Sequence, residues 1–207
     1  MILDPEALRV LGGLMEKEMT TPEAYPLSLN SLLAAANQKT SRDPVLELSE
    51  DDVRHALETL EAHGLVSVSR DARVPKYEHR IRTVLNLRRD ETAVLCLLIL
   101  RGPQTAGELR GRSDRMFSFD DIAAVQSTLD RLAGRETPLV AALPRLPGAR
   151  EARSMHLLGE ASAAAADPGT RPAPAARENE VAALRAALAD LEARVAALEA
   201  RESVPES

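Results

Sequence analysis

The chain has 207 residues, of which 44% are hydrophobic and only 2% aromatic, and its formal net charge is −6. With so few aromatic side chains the cores must be built from Leu, Val, Ile and Ala, which favours helices over strands. The single cysteine, Cys96, excludes an intramolecular disulfide framework and a multi-cysteine zinc site. The net acidity argues against an indiscriminate nucleic-acid binder.

The sequence has no membrane or export signal. Its longest apolar run, residues 93–100, is far shorter than the about 20 residues that a bilayer-spanning helix needs. The first residues lack the basic and then apolar pattern of a secretory signal. We therefore expect a cytoplasmic protein with no membrane partner.

The first part of the chain, residues 1–86, predicts three helices and a hairpin. Asp4 and Ser49 are suitable N-caps for the first and third helices, and Gly64 ends the third. Asp71 lies in the expected hairpin turn. The elements are expected over about 5–18, 28–36, 50–63, 65–69 and 76–82.

Residues 87–160 predict the same order again. Asp90, Thr105 and Ser118 are the expected N-caps of three helices, with Gly102 ending the first. Two strands, over 139–143 and 150–157, should be joined through Pro147 and Gly148. The residues expected to face inward from the last helix are Ile122, Val125, Leu129 and Leu132.

A repeated sequence motif supports this duplication. Residues 48–53 read L-S-E-D-D-V, and residues 117–122 read F-S-F-D-D-I. Each copy is followed by a basic residue, two further residues and a histidine, at 76–79 and 153–156. We interpret the chain as two tandem small domains, 1–86 and 87–160.

The composition changes after residue 160. Residues 161–177 are rich in Ala and Pro, which is typical of a disordered linker. Residues 178–202 predict an amphipathic helix whose apolar residues are spaced alternately by three and four. This seam favours a coiled-coil homodimer through residues 180–200, while a helix lying on its own domains remains the alternative. The seam residues are Val181, Leu184, Leu188, Leu191, Val195 and Leu198.

Three helices followed by a two-stranded hairpin is the winged-helix arrangement, in which the hairpin is the wing. Several sequence motifs also resemble those of the YceH-type family of uncharacterised bacterial proteins, over residues 3–159. The resemblance implies two tandem winged-helix domains and no particular activity. The matching segments are 25–30, 37–45, 48–50, 76–79, 101–110 and 143–145.

Positive charge is concentrated in the predicted hairpins. Residues 65–89 carry seven basic and two acidic side chains, and residues 131–153 carry five and two. These cations are candidate phosphate contacts, and the alternative is that they only solvate hairpin edges. The candidates are Arg70, Arg73, Lys76, Arg80, Arg82, Arg145, Arg150 and Arg153, with Gln38, Lys39 and Arg42 in the polar loop.

The third helix of a winged helix normally enters the major groove, but here neither copy has a basic outward face. The expected outward residues are Asp51, Arg54, His55, Glu58 and Glu61 in one copy, and Asp121, Ala124, Ser127, Thr128 and Arg131 in the other. The wings would therefore have to supply the attraction to DNA.

Two classes of function follow. The first is a DNA-associated regulator that contacts double-stranded DNA through its basic wings. The second is a scaffold that binds a protein partner of the chromosome-organising or transcription machinery instead of DNA. The arginine-rich wings, which recur in register, favour the first, and the acidic first domain favours the second.

No enzyme motif is found, and we expect no catalytic activity, cofactor or metal. Cys96 lies in an apolar pattern that predicts a buried, inert thiol. His79 and His156 recur in the two copies, but without nearby cysteines they favour a structural hydrogen bond over a zinc site.

Overall fold

The structure is a computed structural model that describes residues 2–70, 73–145 and 151–159. These residues fall within the first of two units, residues 1–166 and 167–207. The predicted linker over 161–177 and the predicted helix over 178–202 lie outside the described residues. So do three predicted turn residues: Asp71, Pro147 and Gly148.

The described part of the chain is mainly helical with small antiparallel sheets, as the composition predicted. Its α-helices are α1 (Pro5–Thr20), α2 (Leu29–Ala36), α3 (Glu50–Ala62), α4 (Ile81–Val84), α5 (Arg89–Arg101), α6 (Ala106–Ser113) and α7 (Ile122–Ala133). Its strands are β1 (Leu27–Ser28), β2 (Val66–Ser69), β3 (Lys76–His79), β4 (Val140–Ala142) and β5 (Ser154–His156). A 3₁₀ turn spans Pro22–Ala24.

Local capping accounts for the start of the helices in the first repeat. The Asp4 carboxylate accepts from the Ala7 N–H at 2.6 Å, and Pro5 occupies the first helical position. Ser49 and Asp52 form a capping box at the start of α3. The predicted N-caps of both helices are confirmed.

The second repeat differs from its prediction at two caps. Asp90 does not cap α5, because its carboxylate accepts from Thr128 Oγ1 at 2.8 Å, and Glu91 accepts from the Arg88 N–H at 2.9 Å. Ser118 does not cap α7 either. Asp121 does so by accepting from the Ala124 N–H at 2.7 Å.

The late start of α7 has a packing reason. Phe119 is buried and its ring meets that of Phe117 edge to face at 4.7 Å between centroids. The chain must turn around this aromatic pair before the helix begins. Ile122, expected to face inward, is 48% exposed, whereas Val125, Leu129 and Leu132 are buried as expected.

The first hairpin ends earlier than predicted and gains a third strand. The strand predicted to reach residue 82 stops at His79, because Ile81 is fully buried and the chain turns into α4. The sheet has the order β1-β3-β2, with Leu27 opposite Tyr77 and Val66 opposite His79. The second hairpin pairs Val140 with His156.

The two repeats meet through their first helices. Helix α1 packs against α5, and the buried apolar side chains of both repeats form one connected cluster. Gly12 permits this close approach, because a Cβ there would lie 2.7 Å from Leu100 Cδ2. Backbone hydrogen bonds from Leu3 to Leu158 and from Asp43 to Leu100, each 2.8 Å, link the repeats further.

Candidate nucleic-acid interface

The tip of the first hairpin carries three of the predicted site residues. Ser69 of β2 lies opposite Lys76 of β3, so Arg70 and Arg73 lie in the turn that joins these strands. Arg70 and Arg73 are exposed and Lys76 is half-buried. The tip adjoins α3, because Arg73 and Lys76 line the same surface groove as Arg54.

A second group of cations lies at the base of this hairpin. Arg80 and Arg82 were predicted, and both are exposed beside the exposed Arg88 and Arg89 at the start of α5. Glu18 is the neighbouring acid, and it accepts from the His79 ring at 3.0 Å. That hydrogen bond, with the charges of Arg82 and Arg89, lowers the pKa of Glu18.

Among the described residues, no carboxylate lies within 4.0 Å of the cations at the tip of the first hairpin, at its base or at the start of α5. Several arginines elsewhere do, and their partners neutralise them. The unpaired cations are Arg70, Arg73, Lys76, Arg80, Arg82, Arg88 and Arg89. The paired arginines are Arg42, Arg54, Arg112, Arg131, Arg135 and Arg153.

The polar loop contributes less to this surface than its sequence suggested. Arg42 is buried and binds Glu16 with two hydrogen bonds of 3.1 and 2.7 Å. Burial alone would raise the pKa of Glu16, but the bonds and charge of Arg42 outweigh it and lower that pKa. Gln38 accepts from Lys17 at 3.2 Å, and Lys39 is exposed. Arg42 therefore has no free guanidinium surface for a phosphate.

The second hairpin offers fewer free cations than its sequence suggested. Arg153 binds Glu108 at 3.0 Å and donates to the Pro103 carbonyl at 2.6 Å. A backbone hydrogen bond from Thr105, together with Arg153 and Arg112, lowers the pKa of Glu108. Arg145 is exposed, and Arg150 lies outside the residues that the structure describes.

The outward face of α3 is acidic, as the sequence predicted. The exposed side chains include Asp51, Arg54, His55, Glu58 and Glu61. Arg54 also forms an ion pair with Glu50, so the one cation of this face is neutralised. The face offers phosphates repulsion rather than attraction.

The prediction for α7 was partly wrong. Thr128 is 1% exposed and donates to Asp90, and Arg131 turns back onto α5 to pair with Asp90 and Glu91. Asp121 and Ser127 are exposed as predicted, and Ala124 is half-buried. Helix α7 therefore contributes no free cation to an outward face through Arg131.

The two repeated histidines have different surroundings. His79 is bonded to Glu18 through its ring, and its backbone N–H donates to the Tyr25 hydroxyl at 2.6 Å. The His156 ring accepts from the Leu158 N–H at 3.3 Å, and burial lowers the pKa of His156 to about 4. Cys96 is buried, and burial raises the pKa of its thiol.

Over the described ranges, no group of three or more His, Cys, Asp or Glu side chains is arranged to hold a metal ion. In the same ranges, no helix has the length and hydropathy that crossing a membrane requires.

Arg88 and Arg89 are the members of the basic surface that the site prediction omitted. Both are among the seven basic residues of the run 65–89, so the count of charges in the sequence already included them. They lie beyond the predicted hairpin, and α4 turns the chain so that α5 begins beside Glu18.

The fold and surface define a class: a mainly helical protein with two similar helix-and-hairpin repeats, the first bearing an unpaired basic hairpin. Residues 3–149 match the model of the family described as "Protein of unknown function, DUF480". The chain belongs to this family of uncharacterised bacterial proteins.

Curated relatives extend the match. The chain is 56% identical over 159 residues to a UPF0502 protein of Koribacter versatilis, covering 76% of this chain and 74% of that protein. It is 52% identical over 201 residues to one of Azoarcus sp., covering 91% and 89%. A Mesorhizobium japonicum relative is 48% identical over 198 residues, covering 90% and 95%.

Proposed function

We propose that the chain is a non-enzymatic, cytoplasmic, tandem winged-helix protein that acts as a DNA-associated regulator and contacts duplex phosphates through its first wing. The winged-helix assignment is supported by the order of elements. Helices α1, α2 and α3 precede the β2–β3 hairpin, and α5, α6 and α7 precede the β4–β5 hairpin. In this arrangement α3 and α7 take the place of recognition helices.

The observation that carries the proposal is the unpaired charge of the first wing. Seven cations of residues 70–89 have no carboxylate within 4.0 Å in the described structure, although the chain as a whole is acidic. Cations that repel one another without neutralising partners favour a polyanion nearby. Arg70, Arg73 and Lys76 would contact phosphates from the tip, and Arg80 and Arg82 from the base.

The two wings are not equivalent in this proposal. Arg153 of the second wing is already bound to Glu108, which leaves Arg145 and Arg150 as its candidate contacts. Lys39 of the polar loop could add one contact, and Gln38 another if it left Lys17. Contacts of this kind position a protein on DNA without reading its sequence.

A matched pair of variants tests the proposal. Arg70→Glu with Arg73→Glu reverses two tip charges, and Arg110→Glu with Arg115→Glu makes the same change in net charge on exposed arginines near α6. We expect the first variant to lose duplex binding by fluorescence anisotropy at low salt, and the second to retain most of it. Equal losses would show that net charge alone is responsible.

The alternative is a scaffold that binds a protein partner and not DNA. The acidic outward face of α3 favours it, because a helix in the recognition position carries Glu50, Asp51, Glu58 and Glu61 on its surface. Such a face suits a basic protein surface. If the wild-type chain shows no salt-dependent duplex binding, this alternative replaces the DNA proposal.

We further propose that the chain is a homodimer through residues 180–200. The proposal rests on the alternating three- and four-residue spacing of the apolar positions. A dimer would place four winged helices along one duplex.

A further inference from the structure

A cavity of about 640 Å³ lies where the two repeats meet. The start of α1, the loop at residues 43–46, the end of α5, His156 of β5 and Gly159 line it. Leu3, Leu8, Leu46 and Ile99 form apolar walls. Its volume is in the range of small-molecule sites in proteins, about 300–1,000 Å³.

Arg9 lines this cavity, and its buried guanidinium lacks a carboxylate partner. Arg9 is only 3% exposed, and its terminal nitrogens donate to the carbonyls of Ala36 and Pro44. Its Nε–H has no hydrogen-bond acceptor among the described residues. In the same residues no carboxylate approaches Arg9 within 4.0 Å.

The neighbouring buried arginine differs from Arg9 in having a counter-charge, although its Nε–H also lacks an acceptor among the described residues. Arg42 is as deeply buried, yet its charge is neutralised by Glu16. Burial of a charge without a paired counter-charge is costly, and folded proteins seldom tolerate it. Burial and the charge of Arg42 both lower the pKa of Arg9, with Asp43 only partly opposing them. An anion in the cavity would remove this imbalance.

The remaining polar groups restrict which anion fits. Because burial holds the pKa of His156 near 4, this side chain is neutral at pH 7 and adds no second cation. Asp4 and Asp43 also line the cavity and are exposed at its rim. These two carboxylates would repel a dianion such as a phosphate ester more strongly than a monoanion, so a singly charged group is the better fit beside Arg9.

We propose that this cavity binds a small monocarboxylate with an apolar body. The carboxylate would accept hydrogen bonds from Arg9, and the body would pack against Leu3, Leu8, Leu46 and Ile99. A free aliphatic acid and an apolar amino acid share this chemistry. An amino acid would in addition present its ammonium group to the carboxylates of Asp4 and Asp43. The site is independent of the basic wing, so it stands whether or not DNA is bound.

Isothermal titration of the full chain with octanoate, leucine and inorganic phosphate tests the proposal. We expect a dissociation constant below the millimolar range for at least one of the carboxylates and no heat with phosphate. Binding of octanoate alone would identify a free acid, and preference for leucine would identify an amino acid. No binding of either carboxylate, or phosphate binding as tight as theirs, overturns the proposal.

Variants separate the site from the rest of the surface. Arg9→Met should weaken carboxylate binding by about tenfold to a hundredfold, because it removes a charge-assisted hydrogen bond. Arg115→Met, at an exposed arginine outside the cavity, should leave binding unchanged. If Arg9→Met does not fold, Leu46→Trp provides the test, since it fills the cavity from a half-buried loop position and keeps the charge. Full affinity in a folded variant of either kind contradicts the site.

Discussion

At the scale of single residues, tertiary pairing decides which cations are available. Arg42 and Glu16 are 26 positions apart, and Arg153 and Glu108 are 45 apart, so neither pair is visible as a local pattern. The sequence showed where arginines cluster but not which of them a distant carboxylate neutralises. Arg42 and Arg153 are therefore occupied, whereas no described carboxylate lies within 4.0 Å of the first-wing candidates.

His156 should make stability depend on pH. Burial sets the pKa of His156 in the folded protein at about 4, below its ordinary value of about 6.5. The unfolded chain therefore binds the proton more readily, and stability present above about pH 6.5 is lost as the pH falls toward 4. Between about pH 6.5 and 5 we expect a loss of about 2 kcal/mol in the free energy of unfolding.

Urea unfolding near neutral pH and near pH 5 measures this loss. His156→Gln should remove about 2 kcal/mol of the difference between the two conditions. His55→Gln, at an exposed histidine on α3, serves as the control and should leave the difference unchanged. Identical pH dependence in wild type and His156→Gln would contradict the buried neutral imidazole.

At the scale of elements, the N-cap of α7 can be tested, because the sequence predicted Ser118 and the structure has Asp121 there. Asp121→Ala should lower the free energy of unfolding by about 1 kcal/mol, because Asp121 accepts from the Ala124 N–H at the start of α7. Ser118→Ala should change it by less than about 0.5 kcal/mol, as for an ordinary surface site. Chemical denaturation of both variants decides between the two caps.

Most of the helix N-caps were predictable from the sequence. Ser49, Thr105 and Asp4 were identified as caps because each stands immediately before an apolar-periodic segment. The caps of α5 and α7 were missed because Asp90 and Ser118 also fit the local pattern. Only packing distinguishes them: Asp90 is used by α7, and Phe119 is drawn into the core. Strand β1 is two residues long and carries no periodic signal of its own.

The contact between α1 and α5 gives a second prediction at this scale. A Cβ at Gly12 would lie 2.7 and 2.9 Å from side-chain atoms of the buried Leu100, whereas one at Gly13 would lie 3.8 Å from Ala35 and Leu32. Gly12→Ala should therefore destabilise the protein by about 1–3 kcal/mol, despite its higher helix propensity. Gly13→Ala should be neutral or stabilising by up to about 1 kcal/mol.

Thermal unfolding of the two alanine variants measures this difference. Both substitutions remove the same backbone flexibility from one helix, so each controls for the other. Equal stabilities would show that the helices do not approach at Gly12 as closely as the structure has them.

At the scale of the whole molecule, the predicted coiled coil can be tested without reference to DNA. Removing residues 161–207 should convert a dimer into a monomer, measured by light scattering, if residues 180–200 hold a homodimer. Leu188→Asp in the full chain, which places a charge in the apolar seam, should have the same effect. A truncated chain that is still a dimer would exclude dimerisation through this segment.

The repeat and the charge run were visible in the sequence, and the mainly helical fold with small sheets followed from the composition and the predicted elements. The difference between the two wings was not visible, because it depends on Glu108 lying beside Arg153 in space. Nor was the cavity at Arg9, since its walls come from segments as far apart in the chain as Asp4 and His156.

The most direct test of the proposed function is the salt dependence of duplex binding. Each neutralised phosphate contributes a slope of about −0.9 to the logarithm of the binding constant against that of salt. The wild-type chain should show a steep slope, and Arg70→Ala with Arg73→Ala should make it shallower by about 1.8. A flat wild-type slope, or an unchanged slope in the variant, would contradict phosphate contact through the first wing.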